Sequence, residues 1–142
     1  TPSVWIGRVL DDAEAEDVVP RGVTAVLDLT AEFAEASPFL DTTYRNVAVL
    51  DLTAPTSEQL REAVAFIAAE AERGTVYVHC KIGYSRSAAV VAAYLLATGQ
   101  ASDVDDAIAR LREARPAIVV RPEVIAALHR FMEAECFLTA TP

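Results

Sequence analysis

Short apolar runs alternate with longer segments in which apolar residues recur every three or four positions. Val4-Trp5-Ile6 reads as a short edge strand. Asp11 and Asp12 open an acidic, alanine-rich helix that Pro20-Arg21-Gly22 breaks. Val23 to Leu29 is β-branched and apolar, the pattern of a buried strand. Ala31 to Ala36 is expected to form a short helical turn before Pro38. Tyr44 to Leu50 is a second apolar run, again strand-like, followed by the loop Asp51-Leu52-Thr53-Ala54-Pro55.

Ser57 is expected to cap a helix that puts Leu60, Val64, Ile67 and Ala68 on one face, with Gly74 ending it. Thr75 to Val78 is a third buried strand, and residues 79–86 form a loop. The segment from Ser87 to Ala97 is apolar all round, which predicts a central helix. Asp103 to Ala114 is amphipathic, with Val104, Ile108 and Leu111 on the core side. Pro122 starts the last helix, which carries Val124, Leu128 and Phe131. Strands alternating with helices predict an α/β fold. The chain reads as one domain with a central, mostly parallel sheet of four to five strands and helices on both faces. Ligands in such folds sit at the carboxyl ends of the strands, where loops 51–55 and 79–86 begin.

Composition narrows the function classes. With 142 residues and 53% apolar residues, the chain can bury one sizeable core. A net charge of −9 argues against broad nucleic-acid binding and against docking on an anionic membrane by charge alone. Two cysteines, Cys80 and Cys136, are too few for a disulfide scaffold and suit a reducing, cytoplasmic setting. Thr1 to Leu10 lacks the basic start and apolar run of a secretory leader. The ten-residue run Ala88 to Ala97 is too short to span a bilayer. The chain opens at Thr1 without a methionine and is expected to be a domain of a longer or processed protein. A monomer is the expected state.

The candidate chemistry lies in His79-Cys80-Lys81-Ile82-Gly83-Tyr84-Ser85-Arg86-Ser87. Cys80 follows a buried strand, and five residues separate it from Arg86 at the start of a helix. A loop of that length can curl so that its backbone N–H groups point inward as an anion nest. Gly83 allows the curvature, and the helix end adds partial positive charge. The nest, the helix end and Arg86 all favour a negative sulfur, so Cys80 is predicted to be a thiolate at neutral pH. The same donors suit phosphate oxygens, with Arg86 as a bidentate fork. Attack of sulfur on phosphorus would form a phosphocysteine that water then hydrolyses. The leaving alkoxide or phenoxide needs a general acid. Asp51, at a strand end 29 residues before Cys80, is the first candidate. Asp28, at a similar strand end, is the second, with a turn-capping role as its competing reading.

The segment from Val78 to Ala88 resembles the signature of dual-specificity phosphatases within the protein-tyrosine phosphatase superfamily. The similarity extends from Trp5-Ile6-Gly7 to Ile118-Val119-Val120-Arg121-Pro122. It implies Cys80 as nucleophile and Arg86 as phosphate clamp, with Lys81, Ile82, Gly83, Tyr84 and Ser85 completing the substrate loop. It implies that Ser87 eases departure of the thiolate, that Asp51 acts as acid and then base, and that His79 orients the loop and tunes Cys80. No metal or organic cofactor is implied. The expected substrates are phosphotyrosine, phosphoserine and phosphothreonine in proteins. The chain is also similar to phosphatases of phosphatidylglycerophosphate and inositol lipids, which makes a phospholipid the alternative. A phosphoprotein-binding pseudophosphatase and a redox or sulfur-transfer protein are the readings from other classes. Glu123 stands where protein-directed members often carry a polar, water-positioning side chain. His129, Arg110, Arg112 and Arg115 are expected on solvated surfaces. Arg121 is expected at the site wall, and Cys136 is expected to be incidental.

Overall fold

The computed structural model describes residues 2–139, with side chains described through residue 136. Strands β1 (Val4–Arg8), β2 (Val23–Asp28), β3 (Thr43–Asn46) and β4 (Thr75–Cys80) form one sheet in the order β1-β4-β2-β3. Every pairing is parallel. The sheet therefore has the smaller of the two expected strand numbers, and β1 is an edge strand as its brevity indicates.

Strand alternation divides the core in two. Ala25, Leu27, Val76, Val78 and Cys80 face the larger layer. That layer holds α3 (Ser57–Ala71), α4 (Arg86–Ala97), α5 (Val104–Ala114) and α6 (Pro122–Thr139). Val26 and Tyr77 face the smaller layer, built on α1 (Asp12–Val18), α2 (Ser37–Leu40) and Phe39. Because successive side chains on a strand point to opposite faces, His79 and Cys80 lie on opposite sides of the sheet. From Arg86 to Leu96, α4 is buried on every side, which is why its sequence shows no polar face.

Three local expectations are corrected. Thr56, not Ser57, caps α3. The Thr56 hydroxyl accepts from Gln59 N–H at 3.1 Å, and the Gln59 side chain accepts from Thr56 N–H at 2.9 Å. The helical turn before β3 spans Ser37–Leu40 rather than 31–36, with Pro38 in its first turn, where the missing N–H costs nothing. Residues 31–36 are irregular. The apolar run from Tyr44 leaves the strand at Asn46, but the chain stays alongside β2. Val47 N–H donates to Asp28 O at 2.9 Å and Val49 N–H to Leu29 O at 3.1 Å.

Candidate active site

The sheet register brings the site together. Asp28 and Gly7 flank His79, and Arg8 lies beside Cys80. β4 ends at Cys80 and α4 begins at Arg86, so the intervening loop must reverse within five residues. Its carbonyls are tied outward. Val9 N–H donates to Lys81 O at 3.2 Å, Arg115 Nη2 to Ile82 O at 3.2 Å, and Val119 N–H to Tyr84 O at 2.8 Å. With the carbonyls engaged outside, the N–H groups of Gly83, Ser85 and Ser87 turn to the sulfur. No side chain caps α4 at Ser85, so its first turn also opens toward the loop.

Gly83 is required by this curvature. It has φ +74°, and a Cβ there would lie 2.4 Å from Gly7 O and 3.0 Å from Arg115 Nη2. Gly83→Ala is therefore expected to lower kcat/KM for an aryl phosphate about 100-fold or more, because ångström-scale misplacement costs that much. Steady-state kinetics of the folded variant check this, and unchanged kinetics would show that the loop tolerates a side chain.

Cys80 is buried, and its Sγ lies 3.3 Å from Ser87 Oγ. Burial pushes the thiol up. The Ser87 hydroxyl and the N–H groups of Ser87, Gly83 and Ser85 outweigh burial and hold the thiol below its ordinary value.

Arg86 is buried, and its two Nη atoms are held by Glu32 and Val49. Its Nη1 donates to Glu32 Oε2 at 3.0 Å and to Val49 O at 2.9 Å, and its Nη2 donates to Glu32 Oε1 at 2.6 Å. Nη2 also lies 3.4 Å from Asp51 Oδ1. Burial opposes the Arg86 cation, but Glu32, Cys80 and Asp51 together make it hold its proton more tightly than usual. The Arg86 fork holds the Glu32 carboxyl down at about 2. Glu32 is one residue of the site that the sequence does not reveal. It lies in an irregular stretch without periodicity, and only its partner, 54 residues later, gives it a role.

Asp51, Leu52, Tyr84, Val119 and Arg121 line a cavity of about 400 Å³ together with Cys80, Lys81, Ile82, Ser85 and Arg86. The cavity thus collects the predicted nucleophile, acid and clamp. Gly83 is buried beneath the loop rather than in the lining. Leu52 has φ +62°, unusual for a residue with a side chain. Its N–H donates to Asp51 Oδ1 at 3.0 Å, and Thr53 Oγ1 donates to Leu50 O at 2.7 Å. The acid candidate thus sits on a tight, locally strained turn.

Asp28 does not join the cavity. It is buried on the smaller-layer side, accepting from Thr30 N–H at 2.8 Å, Thr30 Oγ1 at 2.7 Å and Tyr44 OH at 2.7 Å. The turn-capping reading therefore fits it. His79 Nε2 lies 2.6 Å from Glu35 Oε2. Asp28, Glu35 and His79 form a group whose potential ligand atoms lie within 4.8 Å of one another, but hydrogen bonds within the protein already engage them.

Of the arginines expected on surfaces, Arg110 and Arg112 are exposed. Arg115 is the exception. It stacks 5.6 Å over the Tyr84 ring and braces the loop, because the kink after α5 turns it toward the site. Arg121 lines the cavity as expected, while Glu123 and His129 are exposed outside it. Cys136 is exposed on α6.

Comparison with known proteins gives the family. The family model described as the dual specificity phosphatase catalytic domain matches residues 11–134. The chain belongs to the dual-specificity phosphatase family. As a domain of this type, it falls in the class of cysteine-based phosphoric monoester hydrolases. It is 34% identical over 123 residues to human Protein phosphatase Slingshot homolog 3, covering 85% of this chain and 18% of that protein. It is 38% identical over 87 residues to mouse Phosphatidylglycerophosphatase and protein-tyrosine phosphatase 1, covering 60% of this chain and 45% of that protein. The chain thus spans less than half the length of either relative. Among solved structures, Tk-PTP in the active form superposes with a TM-score of 0.85 at 26% identity, covering 94% of this chain and 93% of that one. Among the described residues of this phosphatase domain, no helix is long and apolar enough to cross a membrane.

Proposed function

We propose that this domain hydrolyses phosphate monoesters through a phosphocysteine on Cys80, with phosphorylated protein side chains as its substrates. One observation carries the reading. The depressed Cys80 thiol, the Arg86 guanidinium and the Asp51 carboxyl meet in a single cavity. The thiolate attacks phosphorus in line while the loop N–H groups and Arg86 hold the equatorial oxygens. Asp51 gives its proton to the leaving oxygen. In the second step Asp51 takes a proton from water, water attacks phosphorus, and Ser87 Oγ donates to the departing sulfur. A pseudophosphatase fits less well, because all three reacting groups are in place.

Phosphotyrosine, phosphoserine and phosphothreonine are the proposed substrates, in keeping with the family. A phospholipid is the second reading. Leu50, Leu52, Ile82 and Val119 are exposed, three of them in the cavity lining beside Lys81 and Arg121. Such a mouth also suits an apolar tail beside a phosphate. The thiol chemistry favours a reducing, cytoplasmic setting, and a monomer is sufficient for the proposed site.

Turnover of a panel separates these readings. Phosphotyrosine, phosphoserine and phosphothreonine peptides are expected to have higher kcat/KM than phosphatidylglycerophosphate or phosphoinositides in vesicles. A lipid preferred at least tenfold would overturn the protein-substrate assignment while leaving the chemistry intact. No hydrolysis of any member would favour a binding module.

A further inference from the structure

We propose that Glu35 is a positioning residue for the nucleophile, acting on Cys80 through the His79 ring. The inference rests on the phosphocysteine reading above. The side chains of Glu35 and His79 are each 1% exposed, and they meet at 2.6 Å through Oε2 and Nε2. The other Glu35 oxygen accepts from Ala36 N–H at 2.8 Å. A buried carboxylate needs donors, and among the described residues the side-chain group that reaches Glu35 is His79 Nε2, which donates when it carries the ring proton. Asp28 lies 3.9 Å from the same ring nitrogen, but Thr30 and Tyr44 already saturate it. His79 Nδ1 is buried and has no partner among the described residues. The Glu35 contact is therefore the hydrogen bond that orients the ring. The rings of Tyr77, at 5.7 Å, and Phe39, at 6.2 Å, hold its flanks.

His79 and Cys80 are neighbours on β4 and point to opposite faces. His79 O accepts from Leu29 N–H at 3.0 Å. A ring fixed on one face fixes the strand end, and with it the direction in which Cys80 presents its sulfur to the nest on the other face. The groups around His79 are Asp28 on β2, Glu35 on the following loop, Tyr44 on β3 through Asp28, and Tyr77 on β4. Those around the sulfur are Ser87 and Arg86 on α4, with Asp51 and Glu32 reaching Arg86.

The test is the pH dependence of Cys80 alkylation by iodoacetate, which reads the thiol without requiring turnover. Glu35→Ala is expected to raise the midpoint by about one pH unit, the scale of lost hydrogen bonds to a thiolate. Glu35→Gln keeps an oxygen acceptor and is expected to restore at least half of that shift. In a His79→Ala background, Glu35→Ala is expected to add nothing. A folded Glu35→Ala variant with the wild-type midpoint would overturn the proposal. So would a shift that persists undiminished without His79, because a merely structural role predicts that outcome. If the alanine variants fail to fold, NMR of ¹⁵N-labelled wild type decides. The His79 Nε2–H resonance is expected to move with the alkylation midpoint, and a resonance that stays fixed through it overturns the coupling. Wild-type hydrolysis of para-nitrophenyl phosphate, measured alongside, tests the hydrolase reading separately.

Discussion

Cys80→Ser is expected to lower kcat/KM for para-nitrophenyl phosphate by roughly five orders of magnitude while leaving the fold and phosphate binding intact. The size follows from the chemistry of the site. The Ser87 hydroxyl and three backbone N–H groups stabilise a negative sulfur, and that anion is the attacking group. A serine hydroxyl keeps its proton at neutral pH, and among the described residues the cavity lining holds no histidine to activate it as in a serine hydrolase. Arg86 and the loop N–H groups remain, so the variant should still bind phosphate or vanadate. The sign with pH follows from the same contacts. Because the thiol is depressed, alkylation of wild-type Cys80 should persist below the pH range in which a free cysteine reacts, and should fall only as the sulfur is protonated. Alkylation rates measured from pH 4 to 9 check this. A midpoint at the ordinary thiol value of about 8.5 would mean that burial outweighs the nest.

Asp51→Asn is expected to cost about 10³-fold in kcat when the leaving group is an alkoxide, as in a phosphoserine peptide. The cost should be far smaller for an activated aryl phosphate, whose leaving oxygen departs without a proton. The expectation rests on placement. Asp51 lines the cavity with Cys80, and its Oδ1 stands 3.4 Å from Arg86 Nη2 on a turn tightened around Leu52. Rates across a series of leaving groups give the measurement. The slope of log kcat against leaving-group pKa should steepen in the variant. An equal loss for every leaving group would make Asp51 an anchor for Arg86 rather than the proton donor. In that case another group would have to supply the proton, and Asp28, buried on the far side of the sheet, is not placed to do so.

The parts of this site that sequence made legible are those encoded locally. The strand, the five-residue loop, Gly83 and the helix from Arg86 lie within a dozen consecutive positions, so periodicity and breaker residues reveal them. Asp51 is legible because it closes the apolar run from Tyr44, which continues beside β2 past the end of β3 toward the carboxyl edge of the sheet, where α/β sheets place ligands. Asp28 sits at an equivalent strand end, and position alone could not separate the two. The difference is which face of the sheet each carboxyl meets, and Tyr44 and Thr30 claim Asp28. The acidic, alanine-rich stretch Ala31 to Ala36 has the local composition of a helical turn but is irregular. Its local propensity lost to tertiary contacts, with Glu32 on Arg86 and Glu35 on His79. Neither contact has a signal within the segment, because both partners lie more than forty residues away in the chain. Arg115 looked like a solvated helix residue for the same reason. Its role comes from the irregular backbone after α5, which carries it over Tyr84.

The most direct test of the phosphocysteine is to trap it. Ser87→Ala removes the hydroxyl that lies 3.3 Å from Sγ and should slow the second step more than the first. The variant is mixed with para-nitrophenyl phosphate, quenched in acid within milliseconds, digested, and analysed by mass spectrometry. The account predicts that the peptide containing Cys80 gains the mass of one phosphoryl group, and that Cys80→Ser abolishes the adduct. Turnover with no adduct on that peptide, or an adduct on another residue, would contradict nucleophilic attack by Cys80.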